Sequence, residues 1–404
     1  MPDESAVSPD QARRLEVLRR RLSRKLAGFT VEIPEENARA EMVRYRPARG
    51  LFPVPELVLF TLRDVMGWRW HGHGEKVRWT VYGAIDGKRV AFEHQKFGFV
   101  VFLPKDRLDL QSRVEGQLCS AMRDVEAYLR PFAKAQVDQG EVMIVNRFAE
   151  FDERYRFHRE LADLAYRRGA AAPPPGETNG ERGDESEKMQ SISADITARL
   201  NAVLSAEREG FFHSTAMIDA YFSCLEHRLV LLRAFMGRPF GEGEVLALLG
   251  MKWGDKLKLV LPSPPSRSAA DVVGRMHRIK ERIRNPFAHG GVENDQGSLF
   301  FRLPGIGPVP GNFTRFGESV RFSMLPVDAD DHAESCATFD KLDQLLATGD
   351  LAGPDQFIKD SVDPVFDAHH CAEYAEAIAG GPDAINAYVE AWSSAWERHV
   401  NMDY

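Results

Sequence analysis

The sequence predicts an α+β protein. An α+β N-terminal domain holds a small antiparallel meander, and a mainly α-helical bundle with an inserted β-hairpin follows it. Three observations carry this reading. Between Val77 and Leu103, apolar residues alternate with polar ones around two reversal signals, Asp86-Gly87 and Lys96-Phe97-Gly98. From Ile192 onward they recur instead at helical spacing. Between the two regions the composition changes: Ala170 to Pro175 is followed by Gly, Glu, Asn, Arg, Asp and Ser with no apolar residue until Met189. Such a stretch buries too little surface to offset its ordering entropy, so it reads as a flexible linker over 169–191. The predicted domains are then 1–168 and 192–350, with a helical C-terminal tail over 351–404. A chain of 404 residues is too long for one ordinary core in any case.

The elements follow in order. From Gln11 to Phe29, Leu15, Leu18, Leu22 and Leu26 share one helical face, and Arg13, Arg14, Arg19, Arg20, Arg21, Arg24 and Lys25 lie between them. This basic face reads as a solvated surface or as an arm for RNA or an anionic membrane. Pro34 ends the helix, and a second apolar helix is expected from Pro55 to Met66. Three strands follow, around Val77–Val81, Val90–Phe92 and Phe99–Leu103. Glu93 and Lys96 resemble a nuclease acid–lysine pair, but two residues separate them instead of one, and period two puts them on opposite strand faces. Helices are expected over Val114–Val125 and Phe148–Leu164. Nothing in this domain names its ligand.

Beyond the linker, helices are expected at Ile192–Glu209, Ser214–Phe235, Trp253–Leu261, Ala269–Arg284 and Asp331–Ala347, and two more between Pro354 and Tyr404. Gly237-Arg238-Pro239 breaks the second of these, and Pro262, Pro264 and Pro265 close the third. Leu299–Arg302 and Val320–Met324 read as a hairpin around a Gly/Pro-rich loop. Trp392 and Trp396, four residues apart, share a helix face.

The bulk composition narrows the classes. A formal net charge of −8 argues against a general nucleic-acid coat protein but leaves room for a local basic patch. Cys119, Cys224, Cys336 and Cys371 are widely spaced, so neither a zinc ribbon nor a disulfide framework is indicated. His369-His370-Cys371 has no second ligand pair at metal spacing. No metal or cofactor is expected. Without a membrane-length apolar run or a signal-peptide core, the expected location is cytoplasmic.

One stretch offers a catalytic constellation: Arg284-Asn285-Pro286-Phe287-Ala288-His289-Gly290-Gly291. It ends a helix whose apolar seam is Val272, Met276, Ile279 and Ile283, surrounded by Arg275, His277, Arg278, Lys280, Arg282 and Arg284. Spacing alone decides little, because Arg89/His94 and Arg208/His213 share it. On a straight helix, residues five apart diverge by about 140°. Pro286 disfavours helix at Asn285, which could then cap a new short segment ended by the glycines. Such a kink would turn His289 toward Arg284. The alternative is a plain helix end, with Asn285 a cap, Arg284 a surface charge and His289 partly buried.

This Arg-Asn-x-x-x-His-Gly motif resembles that of the HEPN superfamily, and the helix Met217 to Arg228 resembles the aromatic-plus-acid helix packed beside it there. The resemblance covers roughly 192–347; the inserted hairpin departs from it, and the N-terminal domain lies outside it. It implies a metal-independent endoribonuclease acting as a homodimer, with two motifs facing one cleft. Cleavage by the 2′-oxygen needs a base, an acid and a cation for the developing phosphorane charge. His289 suits either proton role, and Arg284 suits the phosphate. The second histidine would come from the partner copy. Asn285 would orient the histidine or donate to phosphate, Glu226 would fix Arg284, and Arg275, Arg278, Lys280 and Arg282 would bind RNA. The implied setting is a stress, toxin–antitoxin or antiviral effector, with an inhibitory protein partner and the N-terminal domain as sensor. The other reading of the same resemblance is a non-catalytic module that binds RNA or nucleotide, or a scaffold.

Overall fold

The computed structural model describes residues 9–35, 41–48, 50–171, 185–262, 265–285, 299–313, 320–321 and 327–401. The chain is α+β, in two compact units: Met1–Gln139 with Glu390–Tyr404, and Gly140–Val389.

In the first unit α1 (Pro9–Lys25) buries Leu18 and Leu22 on one face, continued by Leu26. Its basic face is only partly open: Arg19 Nε donates to the Val65 carbonyl at 2.9 Å, and Lys25 pairs with Asp124 at 2.9 Å. The predicted meander is present as β4 (Val77–Ile85), β5 (Lys88–Gln95) and β6 (Gly98–Pro104). Asp86 and Gly87 both have positive φ, which is the hairpin geometry whose twist matches the flanking strands. Three short strands extend the sheet: β1 (Phe29–Thr30), β2 (Met42–Tyr45) and β3 (Arg69–His71). The order is β1-β4-β5-β6-β2, with β3 also on β4, and all pairs are antiparallel. Trp79, Val81, Val90, Phe92, Val101 and Leu103 line the buried face. They meet α1, the helix α2 (Glu56–Leu59) with its wider continuation Phe60–Val65, and Val114, Leu118 and Val125 of α3 (Leu110–Gln139).

The second unit begins earlier than the composition suggests. The expected boundary at 169–191 is corrected to Gln139/Gly140. The reason is packing: α4 (Phe148–Ala170) lies antiparallel along α5 (Glu185–Phe235), with Tyr155 on Tyr221 at 5.1 Å and Phe151 on His227 at 5.2 Å. Residues 172–184 of the predicted linker lie outside the described residues, and 185–191 are the first turns of α5. The two helices expected at 192–209 and 214–235 are one helix of 51 residues. Gly210 does not break it. A Cβ there would stand 2.7 Å from the Tyr166 ring, so the glycine serves close approach of α4.

After α5 come α6 (Glu244–Gly250), which the sequence reading missed, α7 (Trp253–Val260) and α8 (Arg267–Ile279). The inserted hairpin is a three-stranded sheet of β7 (Leu299–Leu303), β8 (Gly307–Phe313) and β9 (Val320–Arg321). The Gly/Pro stretch expected as its loop forms the central strand. Pro308 and Pro310 sit two positions apart, so both missing donors fall on one side of it. Then α9 (Ala329–Leu346) starts on an Asp328 capping box and stacks Phe339 on Tyr221 at 3.8 Å.

The tail has three helices, not two: α10 (Ala352–Lys359), α11 (Ala368–Ala379) and α12 (Pro382–Asn401). Residues up to Val389 are integral to the second unit, because Phe357 and Tyr374 pack on Phe235 at 5.1 and 5.0 Å. Among the described residues, no helix is long and apolar enough to cross a membrane.

Candidate functional site

The motif helix α8 starts on Ser266, whose hydroxyl accepts from the Ala269 amide at 3.1 Å. Its seam is as read: Val272, Met276 and Ile279 are buried and Ile283 is half-buried. The next turn, Lys280–Arg284, widens to π-helical geometry, and Asn285 follows with φ −63° and ψ −45°. Asn285 is therefore helical and lacks the extended backbone expected of a cap, while the rest of the expected break falls on residues outside those described. A proline at 286 has no N–H for the carbonyl four residues back, and the turn ahead of it is widened. Residues 286–291, and with them His289, lie outside the described residues.

Arg284 is held on two sides. Its Nε–H donates to Asp219 Oδ1 at 3.2 Å, and its guanidinium carbon stands 5.9 Å from the centroid of the buried Phe222 ring. Among the described residues, no partner takes its two terminal nitrogens. Lys280 stands one turn back, 5.6 Å over the Trp253 ring, and Trp253 meets Phe222 edge to face at 5.5 Å. One aromatic pair therefore supports two cations. Burial pushes the pKa of Lys280 down, and the Arg284 guanidinium pushes it further the same way.

Glu226 was expected to fix Arg284; the carboxylate that does so is Asp219, seven residues and about two turns earlier on α5. Glu226 instead acts on Lys256 and Lys280, its charge raising the two lysine pKa values that burial pushes down. Both acids share one helix face, so helical spacing alone does not separate them.

The predicted RNA-binding residues do not reach one surface. Lys280 stands with Arg284. Arg275 faces α9, paired with Asp271 at 3.0 Å and Glu334 at 3.6 Å, and it lines a narrow crevice with Arg278, Asp331 and Glu334. The Arg282 side chain lies outside the described residues. His369, His370 and Cys371 also diverge: His369 pairs with Glu373, His370 with Asp367, and Cys371 is buried. Among the described residues, no group of three or more His, Cys, Asp or Glu could hold a metal ion.

Two polar clusters in this unit escaped the sequence reading because their members are far apart in the chain. Ser214 Oγ lies 2.9 Å from His332 Nδ1, and His332 Nε2 lies 3.1 Å from Asp163 Oδ1. The order is that of a hydrolase triad, but Ser214 is 0% exposed and His332 3%, so no substrate reaches the hydroxyl. Burial pushes the His332 pKa down. Neutral His332 satisfies both neighbours, accepting from Ser214 and donating to Asp163.

The second cluster is a buried arginine. Arg228 donates to Asp343 at 2.7 Å and Asp355 at 2.6 Å, and Lys359 pairs with Asp355 at 2.7 Å. A cleft of about 690 Å³ opens beside it, lined by Arg228, Asp343, Arg156 and Lys359 and by none of the predicted site residues.

Compared with known proteins, the chain matches no family model, no curated protein and no solved structure. Any functional reading therefore depends on the chemistry of the site itself.

Proposed function

We propose that the chain is a metal-independent endoribonuclease of the HEPN type, acting as a homodimer. The observation that carries this reading is the state of Arg284. A carboxylate fixes its Nε and an aromatic ring supports its plane, while among the described residues none takes its two terminal nitrogens, which suits them to a phosphate. It sits in the last described turn before Asn285 and His289, the remaining motif residues.

In this mechanism a histidine removes the proton from the 2′-hydroxyl, and the 2′-oxygen attacks phosphorus. Arg284 neutralises the phosphorane, and a second histidine protonates the departing 5′-oxygen. The products are a 2′,3′-cyclic phosphate and a 5′-hydroxyl. Each copy supplies one His289, so the working site needs two copies. Asn285 orients the histidine or donates to the phosphate, and Lys280 adds charge along the RNA backbone. The cellular role that fits is a cytoplasmic stress, toxin–antitoxin or antiphage effector, held in check by an inhibitory protein, with the first unit as sensor.

The Asp219 carboxylate also favours a second reading, because it already occupies part of the guanidinium a phosphate would need. On that reading the unit binds RNA or nucleotide, or scaffolds a complex, without cutting.

The test is cleavage of single-stranded RNA by the full chain in excess chelator, with end-group analysis. The expected result is 2′,3′-cyclic phosphate ends, lost in both His289→Ala and Arg284→Ala, with size and circular dichroism unchanged. Cleavage that persists in both variants removes the assignment. RNA binding without cleavage by the unaltered chain selects the second reading.

A further inference from the structure

The first unit contains a cleft of about 610 Å³, within the range that encloses small ligands. It lies where the end of β2, the β5–β6 turn and the segment leading into α2 meet. Phe52 and Phe99 supply ring surface, 5.2 Å apart, and Arg46, His94 and Phe97 also line it.

His94 is built as a functional histidine would be. Its Nδ1 lies 2.8 Å from Glu56 Oε1, and its ring meets Trp79 edge-on at 6.0 Å. The hydrogen bond from His94 holds the Glu56 pKa down at about 2, so Glu56 stays ionised and Nδ1 is the donor. Nε2 is then the second polar atom of a side chain only 16% exposed, with no partner among the described residues. A histidine with a purely structural role normally satisfies both nitrogens.

A bulge in β4 builds the same cluster. Val77 pairs with Gln95 and Trp79 with His94, so Arg78 is extra, and it turns onto Glu56 at 3.4 Å. At the rim, Phe97 is 70% exposed, although an aromatic ring is among the costlier groups to leave in water. Arg46 has no ion partner among the described residues.

The geometry points to a nucleotide-binding site in this cleft: the base stacks on Phe97 and Phe99, a base N–H donates to His94 Nε2, and the phosphate pairs with Arg46. Flat apolar surface, one oriented acceptor and one open cation are the three features such a ligand matches. Glu56 and Arg78 are positioning residues that set the imidazole. The site does not depend on the reading of Arg284.

The experiment is calorimetric titration of the full chain with AMP, GMP, CMP and UMP and their nucleosides, in the unaltered protein and in Arg284→Ala. At least one monophosphate should bind with a Kd of about 1 mM or tighter in both proteins, and its nucleoside about tenfold more weakly. Phe97→Ala, an exposed change that leaves the core intact, and His94→Asn should each cost about tenfold, and Arg46→Ala should erase the preference for the phosphate. No binding by any of the four monophosphates overturns the proposal. So does binding unchanged by Phe97→Ala or His94→Asn, or binding lost in Arg284→Ala.

Discussion

Arg284 and Asp219 make an ion pair through Nε alone: the Nε–H lies 3.2 Å from Asp219 Oδ1, and no second guanidinium nitrogen joins it among the described residues. Such a pair orients an arginine without filling its fork. Asp219→Asn should therefore lower RNA cleavage about tenfold, and Arg284→Lys should abolish it, because an ammonium lacks the planar fork that gives Nε–H to Asp219 and two parallel N–H bonds to a phosphate. Single-turnover rates check both. A faster Asp219→Asn enzyme would mean that the carboxylate competes with phosphate.

Lys280 and Arg275 were read together from the sequence, and the fold separates them. Lys280→Ala should weaken RNA binding several-fold and reduce the salt slope by about one, whereas Arg275→Ala, already committed to Asp271 and Glu334, should leave both unchanged. Fluorescence anisotropy at several salt concentrations, with a labelled oligoribonucleotide, separates these outcomes.

Acid should loosen the second unit. Burial depresses the pKa values of His332, His158 and His227, and His213 depresses that of His158 further. A histidine with a depressed folded pKa binds its proton more readily when unfolded. Its contribution is thus complete above the unfolded value of about 6.5 and is lost as pH falls through the folded pKa. The Tm should drop between about pH 7 and pH 5, and His332→Gln should shrink the drop. An unchanged pH profile in that variant would exclude His332 as a contributor.

Arg228 pairs with Asp355 in a nearly dry setting, their side chains 5% and 3% exposed, and reaches the more open Asp343 as well. Arg228→Met should cost about 3 kcal/mol in urea unfolding, because it leaves the buried Asp355 with only the exposed Lys359 as its partner. Adding Asp355→Leu should recover a large part of that. Equal losses in the single and double variants would show that lost packing dominates.

Much of this was legible in the chain. Apolar spacing gave the α8 seam, and Asp86-Gly87 gave the central hairpin, because both are set by neighbours in sequence. Tertiary partners settled the rest. Gly210 reads as a breaker until Tyr166 is seen against it. Pro308 and Pro310 read as loop until Leu299–Leu303 lies alongside. Asp219 and Glu226 occupy equivalent positions on α5, and only the place of the widened α8 turn chooses between them. The Glu56–His94 pair joins residues 38 apart, beyond the reach of any local pattern.

The unbroken course of α5 has a consequence for how the gene can change. Gly210, Ser214, Asp219, Phe222 and Arg228 meet Tyr166, His332, Arg284, Trp253 and Asp355 in turn, and all take their direction from one helical screw. A single codon inserted between any two of them would turn one part of the set by about 100° against the other. This span should therefore accept substitutions far more readily than length changes. Insertions and deletions should collect in the connections between helices, where no such phase is kept.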